Sequence, residues 1–187
     1  MFRNVLQSLV LSLVLWETVQ AAIVTPITLN GNTYQDHSAS NLLSVDPDFT
    51  KFQPMVLSIE VEAGDGPLLA FNSVVDLLDG RDPGCFSLEL SGATWAFVGT
   101  FDPGIGQLFL VRNEPTVISF TTLGESDGFV LGNPFALSGE NDWMIDVSSL
   151  SVGSSFTLTM TPAPEPGTAL LGLLGAVGLV KMCRRKR

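Results

Sequence analysis

A single imidazole, His37 in Asp36-His37-Ser38, is all that this 187-residue chain offers for general acid–base work near neutral pH. A Ser-His-Asp hydrolase would need that ring beside a serine held on a sharp strand-to-helix turn, and no such elbow is readable. His37 lies in a polar, loop-like stretch, and an exposed loop histidine is the expectation. Asp76, Asp79 and Asp82 recur every three residues around Gly80 and precede Pro83-Gly84. Oxygen-rich turns of this kind can ligate Ca²⁺, but the loop glycine and closing glutamate of an EF-hand are not in place. Solvated turn aspartates are expected there, with these three as the weak Ca²⁺ candidates and no other cofactor implied. Glu125-Ser126-Asp127-Gly128 and Glu140-Asn141-Asp142 are weaker still. No Gly-rich phosphate loop or dinucleotide fingerprint is present.

Trp95, Trp143, Phe97 and Phe101 could stack on a sugar if a sheet presented them outward. Trp95 and Trp143 fall on positions that alternate as core, so packing is the expected role. The elements that must position all these residues are strands. Leu57, Ile59 and Val61 alternate with Ser58, Glu60 and Glu62, and Phe86, Leu88 and Leu90 alternate with Ser87, Glu89 and Ser91. Ile118 and Phe120, then Trp143, Ile145 and Val147, then Phe156, Leu158 and Met160 repeat the pattern. Turn signals such as Gly64-Asp65-Gly66-Pro67 and Asp102-Pro103-Gly104 separate them, while residues 22–48 read as polar and irregular, with Asp46-Pro47-Asp48 among their turn signals. Ser91-Gly92-Ala93 and Gly153-Ser154 read as hairpin turns. Leu68-Leu69-Ala70-Phe71 and Leu108-Phe109-Leu110-Val111 read as strands covered on both faces, with a short helix near Val74 to Leu78 as the competing assignment. The expected fold is all-β, an antiparallel β-sandwich over residues 22–161.

Charge narrows the partners. Between residues 22 and 163 there are three cations (Lys51, Arg81, Arg112) against 17 carboxylates, a net −14. A surface that acidic repels phosphate backbones, which excludes nucleic acid. The N-terminus carries Arg3 and a short apolar run over 5–16, followed by Val19-Gln20-Ala21. That order is a secretory signal over 1–21 with cleavage after Ala21, implying the Sec export machinery as a partner.

The C-terminus, residues 162–187, has three blocks. Pro164-Glu165-Pro166 is stiff and extended, residues 167–180 carry no charge, and Lys181, Arg184, Arg185, Lys186 and Arg187 close the chain. The cations should remain cytoplasmic. A helix over about 167–183 would be roughly 25 Å long, somewhat short of a hydrocarbon core of about 30 Å, and Lys181 can snorkel. Cys85 and Cys183 would then lie in different compartments, so no intramolecular disulfide is expected.

This order of Pro-Glu-Pro, apolar run and arginine-rich end resembles the tripartite tail of the PEP-CTERM sorting proteins, over about an eighth of the chain. That family often has Ser or Thr directly after the motif; here Gly167 precedes Thr168. The resemblance implies an exosortase-type membrane transpeptidase as partner. It also implies transient residence in the inner (plasma) membrane with the C-terminus cytoplasmic. Delivery to the cell surface or exopolysaccharide matrix would follow. The expectation is a non-enzymatic exported protein. The alternative is a carbohydrate-binding or Ca²⁺-dependent adhesion module anchored permanently by a single-pass helix.

Overall fold

The computed structural model describes residues 21–77, 84–104, 106–123 and 127–163. Residues 1–20 of the expected signal 1–21, Asp79, Asp82 and residues 164–187, the expected sorting tail from its motif onward, lie outside the described residues. Within them the chain is all-β, without a helix.

One sheet has six strands, in the order β1 (Ile23–Thr28), β4 (Met55–Glu60), β13 (Ser155–Ala163), β6 (Cys85–Ser91), β10 (Val117–Leu123) and β9 (Gln107–Asn113). Every neighbouring pair in it is antiparallel. The alternation seen in the sequence explains it: Met55, Leu57 and Ile59 are buried, as are Phe156, Leu158 and Met160, while the residues between them are not. β13 continues through Ala163, two residues beyond the expected end at Thr161. Pro162 is tolerated because β4 stops at Met55, opposite Met160, so β13 has a neighbour on one side only at the proline.

The second sheet is mixed. β2 (Thr33–Asp36) pairs with β3 (Leu42–Phe49), and β3 pairs in parallel with β5 (Leu68–Leu77). The expected purely antiparallel pairing fails here. A parallel neighbour needs a long crossover, and the excursion through β4 in the opposite sheet supplies it. The other flank of β5 is shared. β12 (Trp143–Asp146) pairs along Leu68–Phe71, and β11 (Gly128–Leu131) along Ser73–Asp76. β7 (Thr94–Phe97) lies beyond β12 and β8 (Phe101–Asp102) beyond β11.

Three expectations are corrected. Residues 22–48, expected to be irregular, hold β1, β2 and nearly all of β3. Ser91-Gly92-Ala93 and Gly153-Ser154 are not hairpin turns, because each joins strands of different sheets. The apolar run in β9 is not covered on both faces: Leu108 is buried, whereas Phe109, Leu110 and Val111 are exposed on an edge strand. Leu68 is exposed too. Val74 to Leu77 are strand, since their backbone is claimed by β3 and β11 on either side.

The inner faces of both sheets share one core. Phe86 of β6 meets Phe49 of β3 and Phe129 of β11, at ring-centroid distances of 5.7 and 4.8 Å. Phe120 of β10 meets Phe101 and Trp143 at 5.2 and 5.7 Å. The double layer therefore has two ends. Phe49, Phe86, Phe129 and Ala163 mark the end from which the tail departs. The turns around residues 61–67 and 147–154 mark the far end.

Candidate functional site

An acidic patch occupies the outer face of the second sheet at the tail end. Val45, Pro47 and Phe49 point inward along β3 and are buried, so Asp46 and Asp48 point outward. Asp48 stands in register with Asp76 of β5, and Asp127 precedes β11, which pairs with β5. Asp76 is exposed overall. Loss of hydration beside the neighbouring strands, then the negative fields of Asp48, Asp46 and Asp127, push its carboxyl above the usual aspartate range. Asp46 accepts a hydrogen bond from Val74 N at 2.7 Å, and its second oxygen lies 3.5 Å from His37 Nε2. Asp48 Oδ2 accepts from Thr33 Oγ1 at 3.3 Å, while its Oδ1 is buried without a partner.

Asp76 thus faces aspartates of β3 and the loop before β11, which the spacing of Asp76, Asp79 and Asp82 did not reveal. The overlooked signal was the alternation hidden in Asp46-Pro47-Asp48: Pro47 is an inward position of a strand, not the apex of a turn. Among the described residues no three His, Cys, Asp or Glu side chains are placed to hold one metal ion.

His37 is half exposed, and Asp46 is its ring partner. Gly124-Glu125-Ser126-Asp127-Gly128 does have Gly-x-Ser-x-Gly spacing. It connects strand β10 to strand β11, whereas a nucleophile elbow joins a strand to a helix. Residues 124–126 lie outside the described residues. Trp95 and Trp143 are 7% and 0% exposed and stack edge-on at 5.4 Å, with Phe71 against both. They form core and not a sugar platform. Phe97 is exposed, and Phe101 packs against the core. Cys85, half buried at the start of β6, lies 3.9 Å from Thr121 Oγ1 and is a free thiol among the described residues; Cys183 lies outside them.

A polar knot holds the 132–142 loop between β11 and β12. Asp142 Oδ1 accepts from Asn133 N at 2.7 Å and from the buried Asn72 Nδ2 at 3.1 Å. Thr100 O accepts from Trp143 Nε1 at 2.8 Å and from Gly132 N at 2.9 Å. Gly132 has φ of +72°, and a Cβ there would lie 2.8 Å from Phe71 O, so only glycine fits. At the far end, a cleft of about 350 Å³ lies between Thr94, Thr116, Asp146 and Ser148. Hydrogen bonds from Ser148 hold the Asp146 carboxyl below the usual range. The cleft walls are Gly92, Ala93, four hydroxyl side chains and one carboxylate, with neither a nucleophile–base pair nor an aromatic floor among them.

Ala22 is buried directly before β1, so cleavage after Ala21 would place a new terminus at the sheet edge. Pro164, Glu165 and Pro166, the expected sorting motif, come directly after Ala163 in the chain and lie outside the described residues. No protein-family model, curated protein or solved structure matches this chain.

Proposed function

We propose that this chain is a non-enzymatic exported protein, a β-sandwich carrying a PEP-CTERM-type sorting tail with a single C-terminal membrane helix. An exosortase-type transpeptidase of the inner membrane recognises Pro164-Glu165-Pro166 and releases the β-domain to the cell surface or exopolysaccharide matrix. The carrying observation is the linear order of the last residues: Pro-Glu-Pro, an uncharged run over 167–180 and five cations. The position of the motif supports it: Pro164 directly follows Ala163 of β13 in the chain, with no linker between domain and motif. Glu165 offers its carboxylate between two prolines that fix the backbone.

Glu165→Ala tests the reading. Hydropathy and the cationic end still insert the tail, so membrane retention stays at the wild-type level. Release into the medium should fall at least about tenfold in a host with the transpeptidase, a loss of more than about 1.4 kcal/mol of recognition. Wild-type release with an unchanged mature C-terminus by mass spectrometry would make the motif a linker and the tail a permanent anchor.

A further inference from the structure

The end of β13 is held differently from the rest of the strand. From Thr157 to Met160 the strand lies between β4 and β6. Among the described residues, Thr161, Pro162 and Ala163 have β6 alone, opposite Ser87, Phe86 and Cys85. Pro162 has no N–H to give to a ladder, and of these three residues only its side chain is buried. β6 is held without them, because Phe86 and Cys85 pair on their other side with Phe120 and Thr121 of β10. Three residues can therefore leave the sheet while the rest of it stays in place. A local opening of this kind costs far less than unfolding the domain.

Chain continuity gives that opening a consequence. Pro164 follows Ala163 directly, with no residue between sheet and motif. Extended peptides are bound through the same backbone groups that a sheet uses. Thr161, Pro162 and Ala163 cannot serve β6 and an enzyme cleft at once.

We infer that residues 161–163 are a latch, an autoinhibitory contact that keeps the chain before the motif out of the processing enzyme until it peels from β6. Fraying at a strand end is fast beside cleavage, so the rate of release follows the fraction of chains with the latch open. A tighter tail end slows release and a looser one speeds it, with the core unchanged. The consequence for release rests on the sorting-tail reading; the one-sided pairing of β13 does not.

The register supplies the test. Cys85 and Ala163 are cross-strand partners and neither is fully buried, so Ala163→Cys sets two thiols at a separation that a disulfide can span. The full chain with Ala163→Cys and Cys183→Ser is followed in membranes from a host that carries the transpeptidase. Oxidation should bridge the two thiols and lower release at least about tenfold, and reductant should restore it. With Cys85→Ser added no bridge can form, and oxidation should leave release unchanged. Six Gly and Ser residues inserted between Ala163 and Pro164 uncouple the motif from the latch. They should speed release of the otherwise unaltered chain at least about threefold and rescue the bridged form. The insertion leaves every residue of the domain in place, so its effect stands whether or not the bridged variant folds. Bridged protein released at the wild-type rate, an insertion without effect, or a thiol pair that fails to bridge would overturn the latch. Glu165→Ala separates the latch from the reading beneath it. Normal release of Glu165→Ala removes the sorting reading, whereas blocked Glu165→Ala with free release of the bridged form sinks the latch alone.

Discussion

The two sheets solve the same problem with different means. The six-stranded sheet is a backbone ladder whose inner strands β4, β13 and β6 alternate buried residues with less buried ones, and side-chain hydrogen bonds have little to do there. In the second sheet the flank of β5 is divided between β11 and β12, and the ladder is interrupted where Leu131 ends and Trp143 begins. Side chains take over at that gap: Asp142 Oδ1 accepts from Asn133 N and from the Asn72 side-chain amide, Thr100 Oγ1 donates to Gly132 O, and Trp143 Nε1 donates to Thr100 O. Alternation is enough to build a sheet only while the ladder runs on. Where it stops, a few buried polar groups have to hold their positions exactly where apolar packing alone would let the chain slide.

Trp143→Ala should give the largest effect. The indole packs against Phe71, Trp95 and Phe120 and donates to Thr100 O, so its loss leaves a cavity and removes a strut of the knot. A destabilisation of about 3–5 kcal/mol is expected in urea unfolding. A cost below about 1 kcal/mol would mean that the six-stranded sheet alone carries the fold.

Asp142→Ala tests the knot without a large cavity. It strips the acceptor from Asn133 N and from the buried Asn72 amide. The expected loss is about 1–3 kcal/mol. Hydrogen exchange should locate the difference: amides of 132–142 lose protection while those of β4 and β13 keep it. Uniform loss across both sheets would erase the contrast drawn between them.

The smallest effect is expected at Asp76. Its pKa is raised in the fold, so the folded state disfavours the ionised carboxylate. The resulting penalty is present above the folded pKa and disappears as pH falls toward the ordinary value of 3.8. Asp76→Asn should stabilise the protein at pH 7 by less than about 1 kcal/mol, since the group is exposed and screened. That gain should vanish below about pH 4. A gain that persists there would assign the effect to something other than the aspartate cluster.

Much of the fold was legible in the sequence. Period-two runs such as Phe156, Leu158 and Met160 mark strands because one face meets the core and the other water, and that contrast is written into each strand. The same rule placed Trp95 and Trp143 inside. Sheet membership was not legible. Gly92 and Gly153 look like hairpin glycines, yet a short turn that reverses the chain within a sheet and one that hops to the facing sheet draw on the same residues.

By itself the sequence determined the alternating strands from Met55 onward and the inward side of each, though not β1 to β3 or the facing of β9, together with the acidity of the domain and the order of blocks in the tail. These are local or additive properties, and they survive without knowledge of neighbours. Tertiary structure alone decided that β3 and β5 lie parallel, that Asp46 and Asp48 join Asp76, and that β9 is an edge with Phe109 and Val111 in the open. Each of these depends on which distant segment lies alongside. That choice is made by the packing of the whole core, where contributions from many strands are weighed together.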